Sequence, residues 1–344
     1  MFVMENPIKA YSLEGVDELV ANAKLPSFRA SQILQWIYAK GASSYDEMTN
    51  LPMAIRSQFA QAYPLFKPVL EERLVSADGT RKYLLRFHDG AVAEAVAMPT
   101  DDGRLSVCCS SQSGCAMHCA FCATGQLGLT RSLLPGEIAD QVLIAGDDFK
   151  ARVTNVVIMG QGEPFANYES TLAALRIINH PKLMNIGARH ITVSTCGLIP
   201  GIKRFSDEPE QYTLAVSLHS AIQETRDMLM PACSSYTLEK LRSALASYIG
   251  KTGRRVSFEY ALMRNVNDSD SDLHALIGYC RGLICHVNLI PLNDIDGSPF
   301  KPVSIQAMGR WREELERAGI SATIRNSRGA DIAGACGQLA ARSK

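Results

Sequence analysis

The chain has 344 residues, 47% of them hydrophobic, and its 35 basic and 35 acidic side chains cancel. That apolar content supports a large core and excludes a disordered chain or a small stapled domain, while zero formal charge excludes a global positive field, so a polyanionic partner has to be met by local patches. Ten cysteines occur with no charged segment and apolar run at the start and no long apolar window elsewhere, which points to reduced thiols, metal ligation or catalysis in a cytoplasmic protein rather than to a disulfide framework or a membrane.

Residues 1–65 read as a small helical unit, because "SLEGVDELVANA", "SFRASQILQWIYAKG" and "SYDEMTNLPMAIRSQFAQAY" space their apolar residues at helical intervals. Residues 66–103 alternate polar and apolar positions around Asp78-Gly79 and Asp89-Gly90, which predicts a connecting region of β-hairpins. From 104 to 344 short β-branched runs alternate with longer helical stretches. The runs are "RLSVCCSS", "VTNVVIMG", "HITVSTCG", "YTLAVSLH", "RRVSFEYALM", "HVNLIPLN" and "ISATIRNS"; the helical stretches include "PGEIADQVLIAGDDF", "YESTLAALRIIN", "SYTLEKLRSALASYIG" and "SIQAMGRWREELERAG". Such alternation predicts an α/β fold of parallel strands joined by right-handed crossovers, a full or partial β/α barrel, with a doubly wound sheet as the second choice.

In barrels the chemistry sits at the C-terminal ends of the strands. Here those ends carry "GQGEP", "STCG", "SLHS" and "PLND", so Glu163, Ser194, His219 and Asn293 are expected on one face together with the loop "GCAMHCAFCATGQLG". That loop offers Cys115, Cys119 and Cys122, one thiol short of a structural zinc site. A four-iron cluster takes one cysteine per iron, and three cysteines leave one iron open to a ligand. A three-cysteine zinc site with a remote fourth ligand, or thiols merely sharing a core, are the alternatives. Gly160 and Gly162, having no Cβ, are expected to let backbone approach a ligand beside Glu163, although a plain turn accounts for them equally well.

The spacing Cys-x3-Cys-x2-Cys, with Phe121 before the third cysteine, resembles the signature of radical S-adenosylmethionine (SAM) enzymes. With "SLHS" and "RGADIAGACGQL", and with the N-terminal "SFRASQILQWIYAKGASSYDEMTNLP", the chain resembles the RlmN/Cfr family of radical SAM RNA methyltransferases along most of its length. The resemblance implies a partial (β/α)6-type radical SAM barrel with a helical accessory domain that meets RNA. It also implies a [4Fe-4S] cluster on Cys115, Cys119 and Cys122, whose open iron chelates SAM and yields a 5′-deoxyadenosyl radical. SAM contacts fall on Gly162, Glu163, Ser194, Ser217, Leu218, His219 and Asn293. In the family's route a cysteine near the C-terminus, here Cys336, receives a methyl group, is converted to a methylene radical and adds to adenine. A second cysteine releases the product by forming a disulfide; by spacing it is Cys108, although Cys109 adjoins it and only one of two strand neighbours can face the site. Glu94 matches the family's proton acceptor; a solvent-facing strand carboxylate is the other reading. Cys196, Cys233, Cys280 and Cys285 read as structural.

The substrate implied is adenine in 23S ribosomal RNA, and tRNA for some members, rather than DNA, with a reductant protein such as flavodoxin or ferredoxin as electron donor. Pro164 resembles the branch that methylates adenine C2 rather than the Cfr-type branch that methylates C8. Candidate RNA contacts are Arg29, Lys40, Lys251, Arg254, Arg255, Arg325 and Arg328. The rivals are a radical SAM enzyme on another substrate, in which Cys336 is dispensable, and a non-enzymatic iron–sulfur carrier or RNA-binding protein.

Overall fold

The computed structural model describes residues 6–293, 295 and 297–340. The N-terminal unit contains α1 (Leu13–Asn22), α2 (Phe28–Tyr38) and α3 (Met53–Ala62). Ser12 caps α1 by accepting from the Gly15 N–H at 3.1 Å, and α2 buries Ala30, Ile33, Leu34, Ile37 and Tyr38, one stripe at helical spacing.

The chain then forms four antiparallel strands, β1 (Val69–Val75), β2 (Arg81–Arg86), β3 (Val92–Pro99) and β4 (Leu105–Cys108). The two Asp-Gly turns fall between β1 and β2 and between β2 and β3. Gly79 and Gly90 take φ of +81° and +88°, and the carboxylates of Asp78 and Asp89 accept from the N–H two residues on. A small hairpin, β5 (Gln112–Gly114) and β6 (Leu129–Ser132), frames the cysteine loop and the short α4 (Ala123–Leu127).

The remainder alternates: α5 (Pro135–Phe149), β7 (Asn155–Ile158), α6 (Tyr168–Asn179), β8 (Ile191–Thr195), α7 (Ile199–Phe205), β9 (Thr213–Ser217), α8 (Gln223–Leu229), α9 (Leu238–Thr252), β10 (Val256–Leu262), α10 (Asp270–Cys280), β11 (Cys285–Pro291), α11 (Ile305–Arg317) and β12 (Ser321–Ile324). Strands β4 and β7 to β12 are parallel neighbours in chain order, giving six β/α units and a final strand. Their order never reverses, as a doubly wound sheet requires. The sheet ends at β12, so this is a partial barrel and not a closed one. The hairpin strands extend the same sheet: β3 pairs with β4, with Val96 opposite Cys108, and all ten strands form one surface.

The N-terminal unit is locked onto α5. Lys9 Nζ lies 2.6 Å from both carboxylate oxygens of Asp140, with both side chains buried, and a Cβ at Gly136 would sit 2.4 Å from Lys9 Cβ and 2.7 Å from the Tyr38 hydroxyl. Burial pushes the Asp140 carboxyl up while Lys9 opposes it. A buried pair that loses one partner leaves an uncompensated charge. Lys9→Met is expected to cost about 3–5 kcal/mol in urea denaturation, and Lys9→Met with Asp140→Leu to recover most of that loss; equal stability of wild type and Lys9→Met would refute the role given to the pair.

Candidate active site

The cysteine loop is held by its own backbone. The Cys115 N–H donates to Gly128 O at 2.9 Å, the Cys122 N–H to Cys119 O at 3.1 Å and the Ala120 N–H to Leu229 O at 2.9 Å. A Cβ at Gly114 would lie 2.0 Å from Gly128 O, so the two ends of the loop close only with glycine there. Cys115, Cys119 and Cys122 line one cleft at the C-terminal ends of the parallel strands. Burial pushes the Cys115 thiol up to about 12 and raises that of Cys122, so these thiols ionise only against a cation. Among the described residues no three His, Cys, Asp or Glu side chains converge on one ion position. A cluster that takes one thiolate per iron fits this set of three cysteine donors lining one cleft.

Gly162, Glu163, Ser194, Ser217, His219 and Asn293 line the same cleft. Glu163 is buried; its Oε1 accepts from the Phe165 N–H at 3.0 Å and its Oε2 from the Cys196 N–H at 2.7 Å, which leaves lone pairs free for a donor in the cleft. Burial raises its carboxyl despite those bonds. His219 has its pKa lowered to about 3, first by burial and then by the charge of Arg226. Its Nδ1 accepts the Ala261 N–H at 3.0 Å, so the neutral ring carries its proton on Nε2. The ring meets Phe121 edge-on with centroids 4.6 Å apart. The glycines answer to packing more than to ligand approach: a Cβ at Gly162 would lie 2.6 Å from Gln112 Cβ, and one at Gly160 would lie 2.7 Å from Ser110 Oγ. Leu218 stands apart from these residues. Ser217 faces the cleft, so its neighbour faces the other way, and the Leu218 side chain is fully buried in the main core.

The C-terminal tail brings the distant thiol to the cleft. The Ala123 N–H donates to Gly337 O at 2.8 Å, Thr124 Oγ1 to Leu339 O at 2.6 Å and Asn293 Nδ2 to Cys336 O at 3.1 Å. Upstream, the Ser76 hydroxyl donates to Asp331 at 2.6 Å and Arg328 Nη1 to Pro99 O at 2.6 Å, so the hairpins hold the tail from the other side. Cys336 is exposed and lines both this cleft and an adjoining cavity, whose wall includes Cys108. Cys109, its neighbour, is fully buried in the core. Glu94 lies outside both cavities. Its carboxylate pairs with Lys82 Nζ at 3.0 Å and accepts the Ala340 N–H at 2.7 Å, which ties it to the tail.

Arg325, expected as an RNA contact, follows β12 directly, lines both cavities, sits 3.4 Å from Glu259 Oε2 and turns its charge toward Cys336 and Cys108. Its position at a strand end was the signal that marks it as a site residue. Lys251 is paired with Asp207.

A three-cysteine loop at the mouth of a singly wound, open β/α sheet is the arrangement of a radical SAM protein. The sequence matches the radical SAM superfamily over residues 109–277 and the ribosomal RNA large subunit methyltransferase N-terminal domain over residues 9–64. It is 44% identical over 329 residues to a probable dual-specificity RNA methyltransferase RlmN of Alkaliphilus oremlandii, covering 95% of each chain. It is 42% identical over 338 residues to that of Clostridioides difficile, covering 98% of each. The crystal structure of a radical SAM methyltransferase from Sphaerobacter thermophilus superposes with a TM-score of 0.91 at 45% identity, covering 97% of this chain and 98% of that one. The chain belongs to the RlmN family of radical SAM RNA methyltransferases. It is accordingly an enzyme of RNA methylation that works with a [4Fe-4S] cluster and SAM.

The two tail-side thiols differ in reactivity. Burial, and then Cys336 beside it, push the Cys108 thiol up to about 12, so it stays protonated at neutral pH and its thiolate grows roughly tenfold per pH unit below that value. At about pH 8 a maleimide is expected to label Cys336 at least about tenfold faster than Cys108 by peptide mass spectrometry, with Cys108 labelling rising steeply as the pH is raised. Equal rates would contradict the placement of the two thiols.

Proposed function

We propose that the enzyme methylates C2 of adenine in 23S ribosomal RNA, and in tRNA, through a methylated Cys336. The observation that carries this reading is that Cys336 and Cys108 line one cavity continuous with the cleft of the cluster cysteines. C2 lies between two electron-withdrawing nitrogens and is a poor nucleophile, which is why a radical route is needed. Cys115, Cys119 and Cys122 hold the cluster, and Gly162, Glu163, Ser194, Ser217, His219 and Asn293 face SAM, with Leu218 contributing through its backbone. When bound, the cluster and SAM supply methyl groups and a 5′-deoxyadenosyl radical to the cleft.

The chain's own groups do the rest. Cys336 Sγ takes a methyl group and presents it to the radical, and the resulting carbon bonds to C2. Asn293 and the loop residues Ala123 and Thr124 hold the tail so that this sulfur stays in the cleft. Glu94 accepts the C2 proton once its carboxylate leaves the Ala340 N–H. Cys108 Sγ then bonds to Cys336 Sγ as the bond from that sulfur to the transferred carbon breaks. The carbon takes up the Cys108 proton to become the methyl group. The odd electron left by hydrogen abstraction passes to the reductant protein's electron chain, and two electrons from that chain return the disulfide to thiols. Arg325, charged and facing both sulfurs, favours the thiolate form of Cys108 during this exchange.

RNA is met first by residues 1–65, where Arg29 lies 4.7 Å from the exposed Phe28 ring and Lys40 3.7 Å from the Trp36 ring, an aromatic and basic face suited to unstacked bases. Residues 66–103 link that unit to the catalytic core of 104–344, and a base in folded RNA is drawn out to reach the cleft. Pro164 favours C2 over C8. A flavodoxin- or ferredoxin-like protein reduces the cluster in the cytoplasm; no helix of the described residues is long and apolar enough to cross a membrane.

With 23S fragments and tRNA, wild type is expected to yield 2-methyladenine by mass spectrometry, Cys336→Ala none, and Cys108→Ala a covalent protein–RNA adduct in place of free product. Methylation by Cys336→Ala at the wild-type rate would sink the cysteine route, whereas product at C8 would overturn the regiochemistry alone.

A further inference from the structure

Lys82 takes no part in the steps described so far, yet it is the ion-pair partner of their base. Its Nζ lies 3.0 Å from Glu94 Oε1, and the two side chains are only 11% and 6% exposed. The strand registers bring this about. Lys82 stands opposite Val96 on β3, and Val96 opposite Cys108 on β4, so the three side chains form one row on one face of the sheet. Val96 and Cys108 line the thiol cavity. Glu94, two residues before Val96, points to that same face one pleat beyond the cavity wall.

The two carboxylate oxygens of Glu94 have different partners. Oε1 faces Lys82, whose Nζ also donates to Ala333 O at 3.3 Å, while Oε2 accepts the Ala340 N–H at 2.7 Å. Only Oε2 is therefore held by the tail itself, and the two tail contacts lie on either side of Cys336. The strand beneath is fixed: the Glu94 N–H donates to Gln161 Oε1 at 3.1 Å and its carbonyl accepts from Ser110 Oγ at 2.6 Å. Among the described residues no other cation pairs with Glu94, and a buried carboxylate without a partner is costly.

We propose that Lys82 is a positioning residue for the deprotonation of C2: it anchors Glu94 through Oε1, so that Oε2 faces the RNA adduct once the Ala340 N–H leaves it. The proposal deepens the proposed function and rests on Glu94 as the proton acceptor. In the step itself the proton passes from C2 to Oε2, the C–H electron pair stays on the ring, and Lys82 neither gives nor takes a proton. The rival role for Lys82 is to pin the tail through Ala333.

The test is a rapid-quench single turnover of the cluster-loaded full-length enzyme on a 23S fragment that carries ordinary or C2-deuterated adenine. Methylated Cys336, protein–RNA adduct and free 2-methyladenine are followed by mass spectrometry. In Lys82→Met, Cys336 is expected to be methylated as in wild type and the adduct to form, but the adduct to decay at least about tenfold more slowly. Deuterium at C2 is expected to slow that decay further. Glu94→Gln is expected to slow it by about a hundredfold, and adding Lys82→Met to Glu94→Gln to cost nothing more. Lys82→Gln, which keeps a donor toward Glu94 without the charge, carries the same test with a smaller slowing if Lys82→Met fails to fold. Wild-type adduct decay in the variant that folds would overturn the proposal. Losses that multiply in the double variant, with no deuterium effect, would overturn it too and leave Lys82 as a pin for the tail. Wild-type decay in Glu94→Gln would instead refute Glu94 as the base, and the role of Lys82 with it.

Discussion

The structure depends on the joint between the cysteine loop and the C-terminal tail. The Ala123 N–H on the Gly337 carbonyl and the Thr124 hydroxyl on the Leu339 carbonyl are two ordinary hydrogen bonds, yet they decide where the Cys336 sulfur lies. Each is worth about 1 kcal/mol net, and the pair is backed by Asn293 from β11's end and by Asp331 and Arg328 against the hairpins. Because the cluster cysteines sit on the same loop, the tail cannot drift without disturbing them. Radical formation and the methyl acceptor are thereby built into one short piece of chain.

An open sheet makes that joint feasible. A closed barrel would pair β12 with its first parallel strand and fill the mouth, whereas here β4 pairs with β3 and the sheet continues into the hairpins. The tail crosses this extended surface, so residues from β2, β3 and the β1–β2 turn all touch it. Glu94 belongs to this seam, and its contact with the tail's backbone explains a buried carboxylate that would otherwise be expensive to keep.

The seven parallel strands were legible as β-branched runs, and α5 and α6 match their sequence stretches to the residue, because a leading Pro135 and a regular apolar stripe mark their bounds. The short α7 and α8 and the β5–β6 hairpin were not, since seven or fewer residues carry too little periodicity. Nor does alternation in the hairpin region say which strand it will pair with, so its fusion to the main sheet was hidden. In the site, strand-end position found Glu163, Ser194, His219 and Asn293. The same rule turns the Leu218 side chain into the core, since its neighbour takes the cleft-facing place, and leaves only its backbone toward the cleft. That Arg325 also faces two thiols is not legible in sequence, because a charge looks alike there whether it meets solvent or sulfur.

The whole reaction turns on Cys336 as the first methyl acceptor. Peptide mass spectrometry of the reconstituted enzyme after incubation with SAM and reductant, before any RNA is added, tests it most directly. One methyl mass is expected on the peptide that holds Cys336, with transfer of that carbon to adenine when RNA follows. RNA methylated while the Cys336 peptide never carries the label would contradict it.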